Sequence, residues 1–489
     1  MTISAEDLFD SIGEKYEDAY VNNPGLEEVI QLALAELKPG SHVLDVGCGT
    51  GKPVASQVAH EGHNVYGIDV SQKMVDIASR QVSGRFEKQD MLNFEPKTKF
   101  SAIFSVFSMF QLSHIDTYSM MFKYSDWLRP GGLLILGTIP STSLVKDQSL
   151  SDSTGQVFRH VELPFMGRKV IGTVYTEDGW RNLFQKAGFE ISVEKFFSFT
   201  ERQPYKDETQ EHYLIIARKV VDHALMGPYP LPNSYRGPHP LSEGSWAPFA
   251  ERLVRDEFDA VLNLLENNQD VLDVGSGYGK LPIAIAERGG NAYSIEPNAE
   301  RSSLQMKHAH NVEVRVGSAE NIPFPDGRFD AVVAMWVMHY VDDLEKSLRE
   351  MARVADITNP NARLVVVQGA PDNQLVNLLN DVCAPLSAEN SRIDHQGYLL
   401  HTAARIFSEH GFGKIETFRV NAFCAFPEED MMERCQKAAE VLVGFWFKQD
   451  PNYEQMKTAL IPHLKLHFKD RPHAIGDEVA ILSARPVPN

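Results

Sequence analysis

The chain has 489 residues, 43% hydrophobic and 23% charged, which fits a globular protein of two or three domains rather than a single core. With 47 basic against 66 acidic residues its formal net charge is −19, so repulsion from phosphate backbones excludes nucleic acid as an expected partner. No apolar run reaches the roughly 18 residues of a membrane span, no basic-then-apolar leader opens the sequence, and Cys48, Cys383, Cys424 and Cys435 form no CxxC pair; the expectations are a cytoplasmic protein with no membrane partner, no disulfide framework and no metal site.

In chain order, helical-looking sequence runs to about Leu37, and "KPG" breaks it. "HVLDVG" reads as a buried strand, followed by a glycine turn and a helix from about Pro53. "HNVYGIDVS", the almost continuously apolar "FSAIFSVFSMF" and "WLRPGGLLILGTIP" give further strands, and "AGFEISVEKFF" and "EHYLIIARKV" close the series. The order then repeats as "DVLDVG", "GNAYSIEP", "FDAVVAMWVMHY", "ARLVVVQGA", "HGFGKIETFRV" and "DEVAILSARP". Strands alternating with helices define an α/β class with mainly parallel sheets. The organisation expected is a first domain over 1–221, a Pro/Gly-rich linker over 222–245 and a second domain over 246–489. The second domain carries a helical insertion over about 422–473, read as a cap on a packing surface, with a substrate lid or a dimer contact as the alternative.

The repeat is sharpest at "VLDVGCGTGK" (43–52) and "VLDVGSGYGK" (271–280), 271 − 43 = 228 residues apart. Glycines after a strand let the backbone turn tightly and approach a ligand with no Cβ in the way. Open α/β sheets bind nucleotides at the carboxyl ends of such strands. A second acid follows each loop, Asp69 in "GIDVS" and Glu296 in "SIEPN", placed to accept two hydrogen bonds from a ribose diol. The spacing is GxGxG rather than GxGxxG, and an acid, Asp45 or Asp273, stands at each loop entrance.

This combination resembles the class I S-adenosylmethionine (SAM) dependent methyltransferases, twice in one chain. The resemblance implies two tandem Rossmann-like domains, each a mostly parallel seven-stranded sheet flanked by helices, with SAM as cofactor and S-adenosylhomocysteine (SAH) as product. It places Gly47, Gly49 and Gly51 against the methionine part of SAM and Asp45 near its amino end. Asp69 would hold the ribose, Met74 would pack on the adenine, and Asp90 with Met91 would face the adenine amino group. The second copy keeps Asp273, Gly275, Gly277, Gly279 and Glu296. It departs at the adenine end, where Ser318 stands for the family's Asp and Arg301 for Met74. It is either a second SAM site or a support domain that keeps the fold.

Methyl transfer from a sulfonium is an in-line displacement, and positioning does most of the work. A carboxylate acceptor needs no base; a phenol or an ammonium must lose a proton. In the family, acceptors enter over the segment after the fourth strand and beneath an N-terminal lid. In the first copy these segments carry Phe107, Phe110, Gln111 and His114, with Tyr16 and Tyr20 on the lid; in the second they carry Trp336, His339 and Tyr340, with Trp246 as lid candidate. Tyr16, Tyr20, Gln111 and His339 are the expected acceptor-contacting residues. The tandem arrangement is similar to phosphoethanolamine N-methyltransferases, whose lid Tyr pairs with a His after the fourth strand; here Gln111 and Tyr340 stand at that His position. The chain also resembles fungal secondary-metabolite carboxyl O-methyltransferases that esterify diacids. Arg159, His160 and Arg168 in "FRHVELPFMGRK" are then the candidate partners of an anionic acceptor. The leading expectation is O-methylation of a small-molecule carboxylate; N-methylation of a small amine is the runner-up, and a homodimer is left open.

Overall fold

The computed structural model describes residues 3–20, 22–147, 151–200, 209–222, 226–239, 244–308, 311–389, 392–476 and 478–487. The chain divides into two compact units, Met1–Ala224 with Pro228–Pro230, and Leu225–Gly227 with Leu231–Asn489. Of the expected linker, 223–225 and 240–243 lie outside the described residues. Its stretch 231–239 belongs to unit two, where the Tyr235 hydroxyl donates to the carbonyls of Met338 (3.0 Å) and Val341 (2.8 Å).

Unit one opens with helices α1 (Ala5–Ile12), α2 (Lys15–Tyr20) and α3 (Pro24–Ala35). Its sheet is built from β1 (His42–Val46), β2 (Asn64–Asp69), β3 (Arg85–Lys88), β4 (Phe100–Val106), β5 (Leu128–Thr138), β8 (Phe189–Thr200) and β9 (Thr209–Lys219), while β6 (Val157–Phe165) and β7 (Arg168–Tyr175) form a separate hairpin. The order is β3-β2-β1-β4-β5-β9-β8, with β9 alone running against its neighbours. The central strands are apolar at successive positions because helices cover both faces. Leu44, Ile103 and Leu134 pack with Tyr124, Trp127 and Phe184 on one side; Val43, Ala102 and Leu133 pack with Val29, Ile30 and Val58 on the other. The hairpin was not expected: the stretch "FRHVELPFMGRK" pairs locally about Met166 and Gly167, both at positive φ.

Unit two repeats the plan with β10 (Leu253–Arg255), β11 (Asp270–Val274), β12 (Asn291–Glu296), β13 (Val312–Val316), β14 (Ala331–Met335), β15 (Arg363–Gly369), β16 (Lys414–Ala425), β17 (Ala474–Ile475) and β18 (Glu478–Arg485). The expected seven strands are here nine: β16 outruns β18, and its far end pairs with the short β10 and β17. The expected insertion contains two helices, Met431–Phe447 and Tyr453–Asp470. They bury Leu442, Phe445, Leu460 and Phe468 in a core shared with Phe249, Leu375 and Leu379. Trp246 packs there against Phe445, ring centroids 5.8 Å apart. Among the described residues no helix is long and apolar enough to cross a membrane, and no cluster of three or more His, Cys, Asp or Glu is arranged to hold a metal ion.

Candidate active site

In unit one the turn after β1 is hung from β2: the amides of Gly47 and Cys48 both donate to the Ile68 carbonyl, at 2.8 and 3.0 Å. The next amide, Gly49, donates to Asp69 Oδ2 at 2.9 Å, and Ser71 N–H donates to Oδ1 at 2.8 Å. One carboxylate thus fixes both the glycine turn and the start of the helix Gln72–Gln81, on which Met74 sits fully buried. Gly49 lies at φ +53°, and a Cβ there would point into open space with only Tyr16 near, at 3.9 Å. Gly51 differs: its Cβ would meet Val82 at 3.0 Å, so this glycine serves packing and does not line the cavity. Asp45 lies beneath the turn, 3% exposed, with Oδ2 unpartnered. Burial, with the Asp69 charge adding, pushes its carboxyl up to about 7.

A cavity of about 1040 Å³ opens over this turn. Gly47, Gly49, Asp69, Met74, Asp90 and Met91 all line it. Asp90 is exposed and its Oδ1 accepts from Leu92 N–H at 2.9 Å; Met91 Sδ accepts the Tyr124 hydroxyl at 3.8 Å. The rest of the wall is rich in aromatics: Phe9 of α1, Tyr16 and Tyr20 of α2, Phe107 and Phe110 after β4, and Phe165 of the hairpin. The two lid tyrosines stand together, centroids 4.9 Å apart, and Tyr20 stacks on Phe199 at 5.8 Å. Gln111 donates to the Ile3 carbonyl at 3.2 Å, and Ser71 Oγ donates to Asp10 Oδ1 at 2.5 Å, so the N-terminal segment is tied down at two points.

Of the candidate anion partners, Arg168 lines the cavity, whereas Arg159 and His160 do not; Arg159 faces Asp152 at 3.6 Å. His114 is also off the cavity wall, as the first residue of its helix, with the Tyr175 hydroxyl 2.7 Å from Nδ1. His212, by contrast, was not anticipated and lines the cavity at 1% exposure. The signal was topological: a reversed strand begins where its parallel neighbours end, and Thr138 of β5 pairs with Tyr213.

Unit two rebuilds the backbone of the site. Gly275 and Ser276 donate to the Ile295 carbonyl at 2.9 and 3.1 Å, Gly277 to Glu296 Oε2 at 2.9 Å, and Asn298 N–H to Oε1 at 3.1 Å. Burial pushes the Asp273 carboxyl up to about 7, as at Asp45. The side chains differ. The Arg301 guanidinium lies 3.7 Å from Glu296 and over the Tyr278 ring. Where Gly51 faces Ala78, Gly279 faces Gln305, whose amide donates to Ser276 Oγ (2.8 Å) and the Gly277 carbonyl (2.5 Å). Ser318 occupies the turn that Asp90 occupies in unit one, without a carboxylate. His339 is 5% exposed, its Nδ1 is 3.3 Å from Gln368 Oε1, and burial lowers its pKa to about 4. It is a neutral, buried histidine packed on the Tyr340 ring, centroids 3.9 Å apart, rather than the open acceptor contact expected.

Both halves match family models described as methyltransferase domains, over residues 20–193 and 272–362. Each unit thus carries a segment of the methyltransferase-domain family, two in one chain. It is 28% identical over 229 residues to an uncharacterized methyltransferase-like protein of Schizosaccharomyces pombe, covering 46% of this chain and 77% of the relative. It is 30% identical over 132 residues to an uncharacterized methyltransferase of Bacillus subtilis (25% of this chain, 51% of the relative). It is 32% identical over 127 residues to the phosphoethanolamine N-methyltransferase of Plasmodium falciparum (25% of this chain, 48% of the relative). The chain thus spans about half the length of the last two. A magnesium protoporphyrin IX methyltransferase from Synechocystis with bound SAH aligns at TM-score 0.32 and 21% identity, over 44% of this chain and 97% of that one.

The residues of unit one fit SAM. The open position at Gly49 leaves room for a ligand against the backbone, and Asp69 and buried Met74 stand together on the cavity wall; Asp45, expected near the amino end of SAM, is buried behind the turn and does not line the cavity.

Proposed function

We propose that unit one methylates the carboxylate oxygen of a small-molecule acceptor, as a cytoplasmic enzyme of secondary metabolism. The observation that carries this reading is the charge pattern of the cavity. Its only carboxylates among the described residues are Asp69 and Asp90, at the ends of β2 and β3, while the hairpin contributes the cations Arg168 and Lys169. An acid entering there meets no like charge and two opposite charges, Arg168 and the Lys169 that also pairs with Glu162. SAM, when bound, supplies a methyl group on a positively charged sulfur. The chain's part is then positional: the lid tyrosines, Phe107 and Phe110 exclude water, and Arg168 and Gln111 orient the acceptor. A small molecule rather than nucleic acid suits the net charge of −19.

A second reading, methylation of a small amine, is favoured by the clustered rings of Phe9, Tyr16 and Tyr20, since aromatic faces attract ammonium groups. It also accords with the similarity to the P. falciparum N-methyltransferase. The test uses SAM labelled in the methyl group, incubated with the protein and a panel of small acids, phenols and amines, with products then treated with mild base. Label released as methanol marks a methyl ester and is the expected result; label that survives base overturns the carboxylate reading and supports the amine.

A further inference from the structure

We infer that His212 is an acceptor-binding residue of unit one that acts as a fixed hydrogen-bond donor, through Nε2–H, to an oxygen lone pair of the bound acid. The inference deepens the carboxylate reading and rests on it.

The assignment of the proton follows from Asn23. Asn23 caps α3: its Oδ1 accepts from Leu26 N–H at 3.2 Å, which fixes the orientation of the amide. Its Nδ2 is therefore the group 3.3 Å from His212 Nδ1, and an amide nitrogen only donates. Nδ1 is then an acceptor, and in a neutral imidazole the single proton sits on Nε2. The ring is kept neutral by its surroundings. Phe107, Phe197 and Phe199 lie with centroids 4.5, 5.3 and 5.2 Å from it, and burial lowers its pKa to about 4. Nε2 has no partner among the described residues, and the ring forms part of the cavity wall.

A group in this state cannot take a proton from the acceptor: both ring nitrogens are committed, and charging the ring would set Nδ1–H against the Asn23 amide. It can hold an oxygen. Ester formation needs nothing more. One carboxylate oxygen forms the new C–O bond while the methyl–sulfur bond breaks, and the bonding pair stays on sulfur as a neutral thioether. No proton moves. The other oxygen, which becomes the ester carbonyl, keeps its bond to His212 throughout. Phe107, held at φ +57° at the end of β4, sets the distance of this donor from the rest of the site by packing against it.

Two experiments test this on the full-length chain. The first needs no acceptor: nitrogen NMR of protein labelled with ¹⁵N-histidine at pH 7. The expected spectrum shows a His212 with a proton on Nε2 and none on Nδ1. Asn23→Asp keeps the helix cap but accepts where Asn23 donates, and should move the proton to Nδ1. A wild-type His212 that is charged, or protonated on Nδ1, overturns the proposal. The second uses whichever panel acid gives a base-labile product. His212→Gln keeps an N–H near Nε2 and should hold kcat/KM within about 5-fold of wild type, whereas His212→Phe should lose about 10- to 100-fold, the range of one hydrogen bond to a charged group. SAH affinity should be unchanged in both. Full activity in His212→Phe, or equal loss in both variants, overturns the proposal. If no panel compound gives a base-labile product, the carboxylate reading fails and the donor role toward an acid fails with it. If such a product forms but the variants or the spectrum disagree, only the role of His212 fails.

Discussion

Replacing Asp45 by Asn separates the cost of the SAM site from its use. In the ligand-free chain this carboxyl is buried with Oδ2 unpartnered, and it is pushed from 3.8 up to about 7. Because the folded value lies above the unfolded one, the folded state holds the proton between about pH 4 and pH 7. That contribution to stability is fully present below about 4 and is lost as pH rises through about 7. Three pH units correspond to about 4 kcal/mol at most, borne by unit one at pH 8. Asp45→Asn should therefore stabilise ligand-free unit one by up to about 4 kcal/mol at pH 8 and leave it unchanged at pH 4. With two units in one chain a single melting curve is ambiguous, so the assay is hydrogen exchange in β1 and β4. If Asp45 serves the ligand's amino end, as the resemblance implies, the same substitution should also weaken SAH binding. For the wild type, binding should weaken about fivefold from pH 7 to pH 6 as Asp45 takes up its proton, and Asp45→Asn should abolish that slope. A variant that is less stable at pH 8, or that keeps the pH slope, would refute the reasoning that this carboxylate is an unpaired ion awaiting a cation.

In unit two, Arg301 and Gln305 stand against Glu296 and the glycine turn. Equilibrium dialysis with labelled SAH should give one equivalent per wild-type chain and two for the double variant Arg301→Met with Gln305→Ala; two tight equivalents in the wild type would contradict it. Gly172 of the hairpin packs on the acceptor segment, where a Cβ would lie 2.3 Å from the Phe110 carbonyl. Gly172→Ala should displace the hairpin and raise the acceptor KM about tenfold or more, while SAH affinity holds.

What was legible in the sequence was what the backbone requires. Glycines at positive φ after a buried strand, an acid where the next strand ends, and an apolar run covered on both faces each have one structural solution, and Gly47, Asp69 and "FSAIFSVF" met it. The hairpin was hidden because its exposed face is polar, so "FRHVELPFMGRK" has the composition of a loop although its register is local. The two extra strands of unit two span three and two residues and carry no period to read. His339 followed the fourth strand in the expected place, but Gln368 of β15, far off in sequence, takes its ring nitrogen and buries it. His212 was missed for the converse reason: as one polar residue before an apolar strand it resembles an edge, and only the reversed direction of β9 brings it to the glycine-loop end of the sheet.

The same distinction explains why the motif occurs twice without implying the same function twice. Of the second loop's glycines, Gly275 would place a Cβ 2.6 Å from Val337 and Gly279 one 3.0 Å from Gln305, so both are required by packing whether or not a ligand binds. Glu296 is likewise held by two backbone amides that need a carboxylate to organise the turn. Only Gly277 opens to free space, and the residues around it that a nucleoside would touch are those that changed: Arg301, Gln305 and Ser318. A glycine fingerprint reports that the turn must be made. Whether SAM is bound there is decided by the side chains over the turn, and these differ between the two halves of the chain.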